Sequence, residues 1–441
     1  MAFRQRGDDR LMHDDDTPRP GWLGPWLKGF PSAQPPLPLA DVAARGWTLA
    51  ALPTPLAVVR RQALAHNIAW MQRFAAERGV QLAPHGKTTM SPQLFRRQLD
   101  AGAWGLTFAN VHQLRLGLAA GARRALIANQ LVGRADLAEL LALRRQHAGV
   151  ELAFFVDSQA QLDLLAAHWA ALGVADARLD VLIELGSTRC GLRTHDPALA
   201  LARALQHHPA LRLRGIGFYE GLQVRGETEP DRALMQQWQA RVEALLADIE
   251  AEGLLDDDAR PLWLSGGGSA LFDLVAPVLA ARPGQSPRLG LLRSGCYVCH
   301  DHAHYGRLMG AINARLGSPL GTDGLRPALE VWTEVLSVPE PGLALLNAGR
   351  RDLSFDQGWP LPVWHVHHGE RHAAPAGWRI DGLNDQHAYL RWDPATGAGP
   401  AVGERVALGP SHPCTTFDKW AWLAVADEDD RVVDAITTHF G

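Results

Sequence analysis

The sequence predicts an α/β protein, a (β/α)8 barrel followed by a mainly antiparallel β domain. Eight short apolar runs alternate with amphipathic helical stretches between about residues 80 and 305, the pattern of a parallel sheet covered by helices. Eight units within about 220 residues favour a closed barrel over an open sheet. No glycine-rich dinucleotide fingerprint argues for the open form. Beyond residue 305 the texture becomes short β-like runs separated by Gly, Pro and Asp.

Residues 1–20 are charged and Pro-bearing and read as a disordered tail. Residues 22–38 are rich in Trp, Gly and Pro, so an irregular but packed segment is expected. Residues 55–59 (PLAVV) read as a strand, and 62–77 as a helix with Leu64, Ile68, Met71 and Phe74 on one face. The first barrel strand ends near Lys87. Further strands fall at 105–109, 125–128, 151–156, 179–185, 215–219, 262–264 and 289–292. Helices lie between them at 92–101, 113–120, 136–145, 160–172, 197–206 and 231–250. Later β-like runs lie at 328–338, 343–347, 362–367, 388–392, 405–408 and 420–424. The expected division is a barrel over 61–305, and a β domain combining 21–60 with 306–441.

Composition narrows the class. The 441 residues are 47% hydrophobic and 20% charged, with a net charge of −4, which calls for neither nucleic acid nor anionic membrane. Four cysteines are too few for a disulfide scaffold. No apolar run reaches membrane-spanning length and the start lacks a signal-peptide core, so a cytoplasmic enzyme with a small-molecule substrate is expected.

Residues 80–92, VQLAPHGKTTMSP, carry the first chemical signal. Lys87 stands where a strand ends and a loop begins, the end at which chemistry collects in β/α folds. A lysine held there can form a Schiff base with a carbonyl cofactor. His85, two residues earlier, faces the same side or packs structurally. The run 265–269 (SGGGS) is a phosphate-cup candidate through Gly266, Gly267, Gly268 and the Ser269 hydroxyl, with Gly295 and Tyr297 after the next strand closing it. His412 and Cys414 flank a proline. On an extended segment residues two apart share a face, and imidazole with thiolate suits zinc. Cys296, Cys299 and His300 spell a haem-attachment pattern, with His302 and His304 following, which also suggests zinc; haem attachment of that kind needs an export signal, which the start lacks. These cysteines read as pocket wall or core.

PHGKTTM, ELGSTRCGLR, GIGFYEG, SGGGS, LRSGCYVCHD and HPCTTFDKW occur in this order. Together they resemble the D-serine dehydratase and D-threonine aldolase family over about residues 50–425. The resemblance implies an alanine-racemase-type fold, pyridoxal 5'-phosphate (PLP) on Lys87, and Zn2+ on His412 and Cys414. It implies that residues 55–59 join the β domain, that Arg189 and Tyr219 lie beside the cofactor ring, and that His387 lies near the metal. Thr89 departs from the histidine common in the wider family. Cys414 favours the dehydratase branch, since the aldolase branch tends to have aspartate there. The implied reaction is dehydration and deamination of a D-serine-like β-hydroxy amino acid to a keto acid and ammonia, by a homodimer. The alternatives are D-threonine-aldolase-type retro-aldol cleavage, an amino-acid racemase, against which the metal pair argues, and a non-catalytic PLP-binding protein.

Overall fold

The computed structural model describes residues 21–174, 178–256, 259, 261–282, 287–317 and 324–440; the tail 1–20 lies outside them. The chain forms two compact units. Among the described residues, one comprises 21–62, 328–411 and 415–440, the other those within 63–327 together with 412–414.

In the first unit a two-stranded ladder, β1 (Trp22–Leu23) and β2 (Leu37–Pro38), sits in the Trp- and Pro-rich segment. It is followed by β3 (Leu56–Arg60). The second unit holds eight parallel strands: β4 (Gln81–Leu82), β5 (Leu106–Phe108), β6 (Arg124–Gln130), β7 (Glu151–Val156), β8 (Leu179–Leu185), β9 (Leu211–Phe218), β10 (Leu262–Gly266) and β11 (Arg288–Leu292). Nine helices accompany them among the described residues: α1 (Arg61–Glu77), α2 (Pro92–Asp100), α3 (Val111–Ala119), α4 (Arg134–Gln146), α5 (Gln159–Leu172), α6 (His195–Gln206), α7 (Thr228–Ala251), α8 (Phe272–Leu279) and α9 (His304–Leu316). The strand order is β4-β11-β10-β9-β8-β7-β6-β5.

No regular ladder joins β4 to β5. The seam closes through single bonds: Trp104 N–H to the Leu82 carbonyl at 2.8 Å, Thr107 N–H to the Pro84 carbonyl at 2.8 Å, and the Thr107 hydroxyl to the Ala83 carbonyl at 2.7 Å. Pro84 has no N–H to extend β4 as a ladder, so the first strand is shorter than its apolar run implies. The barrel is filled by Ala83, Leu126, Ala153, Phe155, Leu182, Trp263 and Leu291. Trp263 meets Trp104 edge to face at 4.8 Å, so the interior is packed core rather than a pore.

The β unit continues with β12 (Leu329–Glu340), β13 (Leu343–Leu346), β14 (Leu361–His367), β15 (Glu370–Ala373), β16 (Arg379–Leu383), β17 (Ala388–Arg391), β18 (Arg405–Gly409), β19 (Trp422–Ala426) and β20 (Val432–Thr437). As expected, the early strand joins it: β3 pairs antiparallel with β12 and parallel with β19. Leu56, Val58, Trp332, Ala407, Trp422 and Ala424 form its core. Arg60 is held by Glu330 at 2.8 Å, both side chains nearly inaccessible.

The division differs from the expected one at residue 306. Helix α9 buries Leu308, Met309 and Ile312 and belongs to the barrel unit, which runs on to Pro327. Three apolar residues diluted by Gly306 and Gly310 gave too weak a helical period to read. Helix α8 was masked by its internal Pro277. The expected metal pair also belongs by its contacts to the barrel unit, not to the β unit.

Candidate active site

Every candidate in the barrel lies at the C-terminal end of a strand, where the fold gathers its loops. After β4 the chain makes a single 3-10 turn, Gly86–Thr88, that exposes Lys87 and buries Thr88. Only glycine fits at Gly86, because a Cβ there would stand 2.7 Å from the Phe108 ring and 2.9 Å from Phe95. His85 is a seam residue. It forms the bridge to Thr107, and its Nδ1 faces the Lys87 N–H at 3.5 Å. Burial, then the charges of Lys87, Arg293 and Arg189, hold its imidazole well below the ordinary pKa, so it is neutral at pH 7. The structural reading of His85 is the one these contacts favour.

Arg189 follows β8 and is exposed; its guanidinium lies 4.9 Å from the centre of the Tyr219 ring, at the end of β9. These two expected residues therefore come together. Burial, then the Glu220 charge, pushes the Tyr219 phenol up to about 12, so it stays protonated and can donate.

The glycine run finds a partner within the chain. The N–H groups of Gly267 and Gly268 donate to the buried Glu220 carboxylate at 3.3 and 2.7 Å. Gly266 packs in the barrel, where a Cβ would meet Val275 at 2.7 Å. Gly268 takes φ +97°, a conformation that favours glycine. A pair of hydroxyls is also on offer to an anion. Ser269 Oγ accepts from the Gly295 N–H at 3.3 Å. Ser294 Oγ is fully buried with no hydrogen-bond partner among the described residues. A buried hydroxyl without a partner costs free energy, and a cofactor phosphate would satisfy it. With the charges of Lys87, Arg189 and Arg293 nearby, the mouth fits PLP. The Tyr297 hydroxyl accepts from Gln98 at 3.0 Å and the side chain is buried.

Gly295 allows the β11 loop to approach the lysine turn. A Cβ on it would stand 2.6 Å from the His85 carbonyl and 2.9 Å from Thr88 Oγ1. The next residue, Cys296, is buried, and its Sγ lies 3.6 Å from Cys414 Sγ. Cys414 Sγ also lies 3.4 Å from Thr88 Oγ1. The hydrogen bond from Cys414 brings Cys296 down to about 6, while Cys414 is held well above the ordinary value. Lys87 and His412 are both near enough for their charges to act on this pair. The His412-Pro-Cys414 segment is not a strand. Cys414 opens a short helix, α10 (Cys414–Phe417), so a turn, not the alternation of an extended chain, sets the two side chains. Among the described residues His412 belongs to no three-ligand group with donor atoms within 4.8 Å. Soft sulfur and imidazole donors still fit zinc by type.

Cys299 is buried core, and Asp301 caps α9, accepting from the N–H groups of Ala303 at 2.9 Å and Tyr305 at 2.8 Å. His387 sits exposed on the turn between β16 and β17. Sequence reasoning missed Cys296 as a partner of Cys414. It also missed Glu220, and Arg293, whose guanidinium donates at 2.7 Å to Ser265 Oγ and to the Phe218 carbonyl. Burial brings Arg293 down to about 10, with Glu220 and Glu184 opposing. Glu220 and Arg293 both stand inside quoted motifs, and charged residues closing apolar strand runs were the available signal.

Residues 59–286 match the family described as "Alanine racemase, N-terminal domain", and 328–426 match "Putative serine dehydratase domain". A D-threonine aldolase of Arthrobacter sp is 30% identical over 400 residues, 90% of this chain and 95% of that protein. The solved D-threonine aldolase of Filomicrobium marinum superposes with a TM-score of 0.74 at 26% identity, covering 89% of this chain and 96% of its own. The D-threo-3-hydroxyaspartate dehydratase of Delftia sp. (strain HT23) is 29% identical over 384 residues, 84% of this chain and 93% of that protein. An enzyme of that name has been solved as a cysteine-to-alanine variant in the metal-free form (TM-score 0.70, 26% identity, covering 90% and 100% of the two chains) and as a histidine-to-alanine variant, the two positions standing two apart. No helix among the described residues is long and apolar enough to cross a membrane. The chain therefore belongs to the alanine-racemase-type family of PLP-dependent enzymes, as a lyase of the group that includes D-threonine aldolase and D-threo-3-hydroxyaspartate dehydratase.

Proposed function

We propose that this enzyme is a metal-assisted lyase for β-hydroxy-D-amino acids that cleaves the Cα–Cβ bond in the manner of a D-threonine aldolase. The observation that carries the reading is the convergence of Lys87 with Cys414 through Thr88, whose hydroxyl lies 3.4 Å from the Cys414 sulfur. The amine that would anchor PLP and the sulfur that would hold a metal thereby serve one pocket. The likeness to two D-threonine aldolases over about nine tenths of the chain supports the choice of reaction.

PLP, held on Lys87, would supply an electron sink at Cα. Zinc, held by His412 and Cys414, would supply a Lewis acid for the β-oxygen. The chain's own groups do the rest. Arg189 and Tyr219 pack beside the ring position and present donors to it. Ser269 and Ser294 offer hydroxyls to the phosphate. The substrate's β-hydroxyl would give its proton to the free Lys87 amine as the Cα–Cβ bond breaks and an aldehyde departs. Lys87 would return that proton to Cα and leave glycine.

A second reading, loss of the β-hydroxyl to give a keto acid and ammonia, is favoured by Cys414. The dehydratase known as a metal-free cysteine variant has a histidine and a cysteine two positions apart, the spacing of His412 and Cys414. Product analysis separates the two. With D-threonine, D-serine and D-threo-3-hydroxyaspartate, the aldolase reading expects glycine and an aldehyde, and ammonia with a keto acid would replace it by the dehydratase reading. Chelation should stop either reaction, and zinc should restore it; full turnover in metal-free protein removes both. A homodimer is proposed alongside, and light scattering showing an active monomer would discard it.

A further inference from the structure

We infer that Cys296 is a third protein ligand of the metal, so that Cys296, Cys414 and His412 form a Cys2His site with one position left for substrate. This inference rests on the metal-dependent reading above and extends it to a residue outside the expected metal pair. The Sγ–Sγ separation of 3.6 Å is far longer than a disulfide, about 2.05 Å. It is close to the edge of a zinc tetrahedron, about 3.8 Å for two sulfurs each about 2.3 Å from the ion.

The surroundings suit thiolates rather than an apolar contact. Thr88 Oγ1 lies 3.8 Å from one sulfur and 3.4 Å from the other. The Tyr305 hydroxyl hydrogen-bonds to Cys296. The backbone under Cys296 is pinned, since the His300 N–H donates to the Cys296 carbonyl at 2.7 Å and Gly295 is wedged against the lysine turn. One sulfur is thus fixed on the barrel scaffold while His412 and Cys414 arrive from the late segment, and the ion would tie that segment to the lysine turn. Two thiolates balance the charge of a divalent ion, and a neutral imidazole adds none. Compared with a two-ligand site, this set favours zinc over harder ions and leaves a single exchangeable position, as in other catalytic Cys2His sites. Capture requires the His412 ring to turn toward the sulfurs.

X-ray absorption at the zinc edge of the zinc-loaded full chain tests this without turnover. Two sulfur scatterers at about 2.3 Å are expected. One sulfur overturns the inference and leaves His412 with Cys414 standing; no sulfur, or no bound zinc, overturns the metal reading itself. In cobalt-loaded protein the sulfur-to-metal absorption of Cys296→Ser should fall by about half, and its zinc affinity by on the order of 100-fold. The exposed Cys190→Ser serves as control. A Cys296→Ser protein with unchanged cobalt absorption and zinc affinity refutes the third ligand. The wild-type scatterer count decides the matter should the variant fail to fold.

Discussion

Two glutamates show how differently the two units treat charge. Glu220, at the barrel mouth, is completely buried; burial raises its pKa even though Arg293 and the amides of Gly267 and Gly268 favour the ionised form. Glu404, on the β unit, sits at the surface between two histidines of β14. Its carboxylate pairs with His365 Nε2 at 2.8 Å and with His367 Nδ1. Burial works against ionisation there too, but the Ala401 amide and the two histidines bring it down to about 2. A buried carboxyl resists ionisation and serves geometry. A paired surface carboxylate stays ionised and serves stability. The mouth thus holds polar groups at a free-energy cost, as sites that do chemistry commonly do, whereas the β unit satisfies its charges locally.

Substitutions should separate the two regions by what they change. The largest effect belongs to Lys87→Ala: turnover falls by about 10³-fold or more, and borohydride no longer fixes cofactor to the chain, checked by peptide mass spectrometry. Retained fixation at the same stoichiometry would place the cofactor elsewhere. Next comes Cys414→Ala, with kcat lower by on the order of 10²-fold while the absorbance of bound PLP persists. Equal losses of cofactor and activity would instead give Cys414 a structural role.

Glu220→Gln should cost about 1–3 kcal/mol, since it weakens the acceptor of two buried amides. It also carries a pH signature. The folded carboxyl titrates above its ordinary 4.5. In the window above 4.5 the unfolded chain has lost this proton and the folded chain keeps it, so wild-type stability falls as pH rises through that window. The variant should lack this component when denaturant midpoints are compared at successive pH values. An identical slope in both proteins would remove Glu220 as its source.

The smallest effect is Glu404→Gln. Its folded pKa is depressed to about 2, so its contribution is present above 4.5 and fades as pH falls toward 2. Partial exposure limits it to about 1 kcal/mol. Unfolding at pH 7 and pH 3 should show a smaller difference at the lower pH, and kcat should not move. A change in kcat would break the comparison between the two regions.

Much of this was legible beforehand. The strands at 151–156 and 179–185 coincide with β7 and β8 because each is a continuous apolar run bounded by polar turns, a signal contained in the segment itself. The strand at 55–59 was readable as extended, and its place in the β unit followed from the resemblance. Lys87 was singled out by its type at a strand end, and the nearness of Arg189 to Tyr219 followed from the resemblance and is seen in their 4.9 Å contact. The site was illegible where the partner was remote. Glu220 taking the Gly267 and Gly268 amides spans nearly fifty residues, and Cys296 meeting Cys414 spans well over a hundred.

By itself the sequence determined the alternation of strand and helix, hence a barrel, because apolar periodicity dictates which face each segment must bury. It determined the chemical kinds available: an amine at a strand end, hydroxyls and glycines late in the barrel, and imidazole with thiolate near the end. Only the tertiary structure decided which of these meet. It spent the glycine amides on Glu220, turned Tyr297 into the core, closed the first strand through His85 and set Cys296 against Cys414. The physical reason is that burial and hydrogen-bond satisfaction are settled by neighbours brought together through chain closure, and no local pattern encodes which distant donor or acceptor a buried group will find.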